Sequence, residues 1–258
     1  MDPALLLTTN QLAGIYEKLK RADENILNLD VEIGAFLKAG PDAGVAYDKR
    51  KAAEEWLKFH VEREIPPRLP VLAGEIIHHF RSTLDHIAWI LSSESYRRSH
   101  ERDIAFPVLS QRSKSPERKQ SGYDRKIKGI TAPSALALIE ELQPYKVANS
   151  ADHPLAIVSD LDNIDKHRAL VLVEATFDAL ISFPTKVVTS RMIGGGLKEN
   201  EDSFSVDPAN QSEIKLSRQV AFAQFGERKR QPVVPSLTQL LHALRDIVRK
   251  FGDLKAEP

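Results

Sequence analysis

The sequence contains no cysteine, which excludes disulfide bonds, thiolate zinc ligands and a cysteine nucleophile. A chain without cysteine suits a reducing compartment, so we expect a cytoplasmic protein. Long apolar runs are also absent, and the opening segment MDPALLLTTNQ has no basic residue before its three leucines. We therefore expect no signal peptide, no membrane-spanning helix and no membrane partner.

The sequence also lacks an excess of charge of either sign, because 36 lysines and arginines balance 36 aspartates and glutamates. A protein that binds nucleic acid over its whole surface is basic, so any site for a polyanion must be a local patch. The 258 residues are 42% apolar and 28% charged, which is typical of a globular chain large enough to bury its own core.

Apolar residues recur at helical spacing in four long segments and alternate in two others. The pattern predicts a single α+β domain over residues 1–258, with a helical-bundle core and a small, mostly antiparallel β-sheet. A shorter helix is expected over 133–144. The core helices are expected over 8–38, 71–96, 153–169 and 236–251, and the sheet over 56–63 and 170–225, including a hairpin of 213–216 with 220–225.

Residues 97–128 contain ten basic and four acidic side chains, which predicts a mobile basic loop. Within it, the apolar residues 104–109 are expected to dock on the body of the protein. The loop could follow a phosphate backbone, with Tyr96 and Tyr123 stacking on bases, or it could be an ordinary solvated loop. The predicted nucleic-acid-binding residues are Arg112, Lys114, Arg118, Lys119, Arg125, Lys126 and Lys128.

Polar side chains concentrate in two otherwise apolar helical segments, 74–86 and 160–168. Polar groups in such helices need partners or a chemical task. Helical spacing groups His78, Ser82 and Asp85 on one face, with Arg81 one turn before Asp85. The same spacing groups Asp160, Asn163 and His167. We predict that the two helices touch and share one pocket, in which the binding or supporting residues are His78, Ser82, Asp85, Asn163 and His167.

The spacing Arg81-x4-His86 resembles the Arg-x4–6-His signature of the HEPN superfamily of helical-bundle ribonucleases and nucleotide-binding modules. Residues 66–170 also resemble a group of bacterial proteins of unknown activity. These share a Gly-Glu-x-x-His-x-x-Arg-Ser-x-Leu-Asp-His helix, followed later by an Asn-x-Asp-Lys-His-Arg helix, as in 163–168 here. Ser82 follows the arginine in this chain, where a strongly polar residue such as asparagine is commoner in HEPN proteins.

The HEPN resemblance implies an RNA-directed protein that cleaves RNA without a metal or other cofactor. His86 would be the general base or acid, because an imidazole pKa near 6.5 suits both steps. Arg81 would hold the scissile phosphate and offset its growing charge. The resemblance also implies a homodimer in which two such motifs face one cleft.

Two other functions remain open from the sequence. Glu75 and His78 have the i,i+3 spacing of ligands in di-metal helical bundles, and Asp160 and His167 could complete a mononuclear site with them. The chain would then be a metal-binding hydrolase. Alternatively, Arg81 pairs with Asp85 and the protein has a non-catalytic structural or interaction role.

Overall fold

The computed structural model describes residues 5–39, 45–48, 55–59, 64–111, 121–168, 170, 172–183, 186–191, 204–206 and 213–255. Over these residues the fold is α+β, which confirms the predicted class. The helices are α1 Thr9–Lys38, α2 Arg68–Leu91, α3 Glu94–His100, α4 Ser121–Ile127, α5 Pro133–Glu141, α6 Pro154–His167 and α7 Val233–Gly252. The strands are β1 Val45–Asp48, β2 Glu55–Phe59, β3 Leu172–Phe183, β4 Lys186–Arg191, β5 Phe204–Val206, β6 Glu213–Phe225 and β7 Arg228–Pro232.

The chain forms two compact units. The helical unit consists of residues 1–27, 71–170 and 234–258, and the sheet unit consists of residues 28–70 and 171–233. In the helical unit the apolar stripes predicted for the core helices are buried. Its fully buried side chains include Ile15, Leu19, Ile76, Phe80, Phe106, Leu155, Leu244 and Phe251.

Helix α1 begins at a capping box. The backbone N–H of Gln11 donates to the Thr8 hydroxyl at 3.3 Å, and the Thr8 N–H donates back to the Gln11 side chain at 2.8 Å. Two N–H groups that lack partners within the helix are satisfied in this way. The predicted start of the first helix is therefore confirmed, and its cause is local.

Helix α2 ends at Leu91, so the prediction of one helix over 71–96 is wrong at its C-terminal end. The Ser92 hydroxyl donates to the Ala88 carbonyl at 2.8 Å, and the Ser93 N–H donates to the Gly129 carbonyl at 2.8 Å. Ser93 then caps α3. A serine that can cap a new helix competes with continuation of the old one.

No helix in the described part of the chain is both long and apolar enough to cross a membrane.

The basic segment 97–128 is not simply a loop. It contains the end of α3, a 3₁₀ turn at Glu101–Asp103 and all of α4, and residues 112–120 lie outside the described residues. Tyr123 of α4 and Ile130 just after it are buried. Apolar anchors stabilise this helix despite its basic composition. The prediction that residues 104–109 dock on the body is confirmed, since Phe106 has no exposed surface.

The sheet unit contains two antiparallel sheets, in the strand orders β1-β2-β5 and β4-β3-β6-β7. Strand β2 confirms the start of the strand predicted over 56–63, and residues 60–63 lie outside the described residues. The predicted hairpin within 213–225 is wrong, because β6 is continuous and pairs with β3 along its length. It forms its hairpin with β7 instead, through Gly226 at φ 61°, a conformation that glycine adopts without steric cost.

Helices α2 and α6 contact each other at Gly74. A Cβ atom at Gly74 would lie 2.2 Å from Oδ1 and 2.6 Å from Cγ of Asp165. The lack of a side chain on α2 thus makes room for the carboxylate of α6. The prediction that these two helices touch is confirmed.

Matched alanine substitutions in two helices test this close approach. Gly34→Ala in α1 places its methyl group in open space, so we expect the gain in helix propensity to stabilise the fold by about 0.5–1 kcal/mol. Gly74→Ala must displace the Asp165 carboxylate, so we expect a lower melting temperature than in Gly34→Ala. Thermal unfolding followed by circular dichroism measures both, and equal stabilisation by the two substitutions would contradict the contact.

Candidate functional site

Arg81 lies inside the helical unit, where it is 8% exposed and donates three hydrogen bonds. Its Nε and Nη2 donate to the Asp85 carboxylate at 3.2 and 2.6 Å, and Nη2 also donates to the Phe106 carbonyl at 2.8 Å. Asp85 accepts a further hydrogen bond from the Phe106 N–H at 2.8 Å. We call this network the Arg81 clamp. The network binds both the N–H and the carbonyl group of Phe106.

The Arg81 clamp argues against the role that the sequence suggested for Arg81. Its guanidinium is buried and already paired with a carboxylate, so a phosphate would have to displace Asp85 and strip the Phe106 carbonyl of its donor. Asp85 is occupied by hydrogen bonds from Arg81 and the Phe106 N–H, although its side chain is half-buried rather than sealed from solvent. These two residues position the 104–109 segment. The geometry therefore matches the alternative in which Arg81 pairs with Asp85 and has a structural role.

His86 faces away from the Arg81 clamp and toward α1. A Cβ atom at Gly14 would lie 3.4 Å from His86 Cε1, an ordinary van der Waals distance, so α1 packs beside the ring at this position. The ring is half-buried, and its Nδ1 atom is buried without a hydrogen-bond partner. Burial, and then the nearby charge of Lys18, lower the pKa of His86 below its usual 6.5. His86 is therefore neutral at pH 7, in the form that can accept a proton.

Lys18 of α1 donates a hydrogen bond to the Ser82 hydroxyl of α2. Ser82 precedes His86 by one helical turn, so an ammonium, a hydroxyl and a neutral imidazole lie together between two helices. We call Lys18, Ser82 and His86 the Lys18 site. An ammonium group has three N–H donors and one of them is used by Ser82, so Lys18 can still bind an anion.

Beyond the Lys18 site, further residues lie on the facing sides of α1 and α2, and we call this row of residues the groove. On α1 the groove residues recur by steps of four, three and four: Gly14, Lys18, Arg21 and Asn25. Gly14 faces His86, Lys18 faces Ser82, and the charges of Lys18 and Arg21 both act on His79. The helices therefore run antiparallel here. Eleven residues at 1.5 Å each make the groove about 17 Å long.

The other end of the groove opens into a cleft of about 450 Å³. Burial, followed by the charges of His78, Lys18 and Arg21, lowers the pKa of His79. Burial and the nearby Asp162 raise the pKa of Asp165. The cleft therefore combines a neutral imidazole with carboxylates. Its lining comes from three helices: Arg21 and Asn25 of α1, Val71, Gly74, Glu75, His78 and His79 of α2, and Asp165 of α6.

Helix α6 contributes to the cleft, but not through the predicted stripe. Asp160, Asn163 and His167 are all exposed, whereas Asp165 lines the cleft and Asp162 is buried. Since Val158 and Leu161 set the buried face of α6, the positions one turn beyond them point inward. Asn163 and His167 are not among the residues that line this cleft, whereas His78 is; the predicted association of Asn163 and His167 with a shared pocket stays a prediction.

The alternative metal set, Glu75, His78, Asp160 and His167, does not form a site. Within the described ranges no group of three or more histidine, aspartate or glutamate side chains is arranged to hold a metal ion. All four of these residues belong to the described part of the chain. Asp160 and His167 are exposed on α6, while Glu75 and His78 line the cleft.

The basic residues predicted to bind nucleic acid have diverse positions. Arg125 pairs with Asp103 at 3.5 Å, and Lys128 is exposed. Lys126 is half-buried, and burial followed by the charge of Arg81 lowers its pKa. Arg112, Lys114, Arg118 and Lys119 lie outside the described residues.

The two tyrosines predicted to stack on bases are already packed in the protein. Tyr96 stacks on His100 with ring centres 4.5 Å apart and donates to the Arg125 carbonyl at 3.1 Å. Tyr123 is buried and donates to Glu140 at 3.2 Å. Neither ring is free to stack on a base in this arrangement, so the stacking prediction is wrong.

Sequence reasoning missed Lys18, Arg21 and Asn25. Their signal was present in the sequence, because polar positions recur along α1 beside the apolar stripe. That stripe is typical of an ordinary amphipathic helix, and the sequence does not indicate that the polar edge of α1 faces α2.

Comparison of the chain with known proteins finds no matching family model, no matching curated protein and no matching solved structure. The function must therefore be argued from the chemistry of the groove.

Substitution of Arg81 tests whether its role is structural. Arg81→Ala leaves Asp85 and the Phe106 carbonyl without their partner, and we expect it to destabilise the fold by about 3 kcal/mol. Arg98→Ala is a matched control, because Arg98 forms the same i,i+4 pair with Glu94 but is 77% exposed. Surface pairs contribute roughly 0–1 kcal/mol. Urea unfolding compares the two variants, and similar losses would show that the Arg81 clamp is not a structural centre.

Proposed function

We propose that the chain is an RNA-directed protein of the HEPN-like type and acts as a metal-independent endoribonuclease, with Lys18 taking the phosphate-binding role that the resemblance gave to Arg81. The observation that carries the proposal is the Lys18 site, in which a neutral imidazole and an ammonium converge between α1 and α2. The HEPN-like resemblance implies that the partner is RNA. It also implies a homodimer in which the two copies of this site face each other. The cysteine-free sequence supports a cytoplasmic location.

His86 is the general base in this proposal. The neutral imidazole accepts the proton of an RNA 2′-hydroxyl, and the 2′-oxygen attacks the adjacent phosphorus. The bond to the 5′-oxygen then breaks, and that oxygen takes a proton from water. The products are a 2′,3′-cyclic phosphate and a free 5′-hydroxyl. A general base contributes about 10²–10⁴-fold to such a rate.

Lys18 supplies the positive charge. Its ammonium binds a non-bridging phosphate oxygen and stabilises the negative charge that grows there in the transition state. The hydrogen bond to Ser82 orients the flexible lysine side chain, so less of its conformational freedom is lost when RNA binds. Ser82 is a positioning residue in this scheme.

The Lys18–Ser82 contact also resembles a serine–lysine dyad of an acyl-transfer enzyme. Ser82 lies in the interior of α2, where its own N–H bonds within the helix. That N–H is not available to stabilise a tetrahedral oxyanion. The groove therefore favours phosphate chemistry over acyl transfer, and loss of activity on Ser82→Ala to the same extent as on His86→Ala would reverse this preference.

Alanine substitutions in the Lys18 site test the cleavage proposal. We expect His86→Ala and Lys18→Ala each to lower cleavage of labelled single-stranded RNA at least 100-fold, because each removes a group that acts on the reacting atoms. His242→Ala and Lys20→Ala are controls, because both residues are exposed on α7 and α1. Addition of a chelator should leave the rate unchanged, since neither role needs a cation.

The possible results of that assay are distinct. Activity that survives both substitutions would contradict the site assignment. Activity lost on chelation and restored by one metal would contradict the metal-independent mechanism. No cleavage of any RNA by a folded, purified chain would contradict the proposed enzyme function.

A titration tests the electrostatic coupling directly. The pKa of His86, followed by NMR of its ring signals, should lie below 6.5, and Lys18→Gln should raise it because a neighbouring positive charge is removed. Since the neutral ring is the base, the cleavage rate should rise with pH through this pKa and become flat above it. If Lys18→Gln leaves the pKa of His86 unchanged, Lys18 and His86 are not electrostatically coupled and the proposed site is contradicted.

A further inference from the structure

Asn25 is the most unusual polar residue of the cleft. It is only 7% exposed, it lines the cleft, and the described residues offer its side chain no hydrogen bond. An amide side chain has two N–H donors and an acceptor oxygen with two lone pairs. The amide atoms are not sealed from solvent, so in the cleft they are available to hydrogen-bond a polar ligand.

The other groups of the cleft restrict the chemistry of that ligand. Glu75 and Asp165 present carboxylates, which accept hydrogen bonds and repel anions. His78 and His79 add two imidazole rings, of which His79 is held neutral by burial and by nearby positive charges. Arg21 lies at the rim and shares its charge with Glu24 at 3.2 Å. The cleft thus favours a neutral ligand that donates hydrogen bonds, rather than a phosphate.

The size and position of the cleft agree with this chemistry. Its volume of about 450 Å³ lies in the range of small-molecule sites, roughly 300–1,000 Å³. Its lining residue Asn25 lies seven residues beyond Lys18 on α1, about 10 Å along the helix. A single-stranded RNA of a few nucleotides can span that separation, with one of its bases in the cleft while a phosphate contacts Lys18.

We infer that the cleft is a nucleobase subsite that selects a base bearing an exocyclic amino group, with Asn25 and Glu75 as its principal hydrogen-bonding residues. The inference rests on the RNA function proposed above and adds the substrate preference of the same groove. Asparagine pairs with adjacent donor and acceptor atoms of a base edge, and a carboxylate accepts from an exocyclic amine. Uracil has a carbonyl group where cytosine has its amino group and a ring N–H where cytosine has a ring acceptor, so it presents an oxygen to the carboxylate.

The test uses the full-length chain and three mononucleotides, CMP, UMP and AMP, titrated into isotope-labelled protein and followed by NMR. We expect CMP and AMP to shift the Asn25 side-chain amide signals and to bind at least tenfold more tightly than UMP. Asn25→Ala and Glu75→Gln should each weaken CMP binding at least tenfold. Glu17→Gln, on the exposed side of α1, is the matched control and should have no effect.

A second variant guards against a simple loss of folding in Asn25→Ala. Asn25→Asp keeps the size of the side chain but loses its N–H donors, so CMP binding should still fall while circular dichroism stays unchanged. Equal affinities for CMP and UMP, or CMP binding that persists in both Asn25 variants, would overturn the inference.

The result is separable from that of the cleavage assay. His86→Ala removes the proposed base catalyst but leaves the cleft intact, so CMP binding should persist in that variant. Loss of RNA cleavage with retained selective CMP binding means that the nuclease proposal alone has failed. Cleavage that depends on His86 but shows no preference against uridine, with no selective CMP binding, means that the base-subsite inference alone has failed.

Discussion

The helical unit depends on one ion pair, between the buried Arg81 and the half-buried Asp85, and on the backbone segment that it holds. The two side chains bind both polar groups of Phe106, whose ring is fully buried and packs edge-on against Phe251 at 6.0 Å. Gln143, also fully buried, continues the same arrangement by bonding Pro107 and Leu109. An irregular segment can cross the interior only if its polar groups find such partners.

This constraint also determines where the chemistry can lie. Because Arg81 is committed to the clamp, the face of α2 that carries it is closed to ligands. The face that carries Ser82 and His86 packs against α1 instead, where Gly14 lies beside the imidazole and Lys18 supplies a charge. One helix thus performs two tasks on two faces. Structural pairing uses one face, and the groove with its cleft uses the other.

Much of the fold could be predicted from the sequence. Periodic apolar residues gave the correct core helices because they reflect burial of one face, and the capping box at Thr8 marks the start of α1 through contacts three residues apart. Predictions failed where distant residues intervene. The end of α2 depends on Gly129, α4 is anchored by the burial of Tyr123, and β6 is continuous because β3 pairs with it along its length.

The candidate site shows the same division. The sequence by itself determined that α2 carries polar side chains on an apolar helix, and helical spacing correctly placed Arg81 within reach of Asp85. It also indicated that α2 and α6 meet. Only the tertiary structure decided which residues share a site. Lys18 meets Ser82 across 64 residues of chain, and Arg81 meets Phe106 across 25. Periodicity describes the direction of a side chain about its own helix axis, whereas its partner is chosen by packing between elements that are distant in sequence.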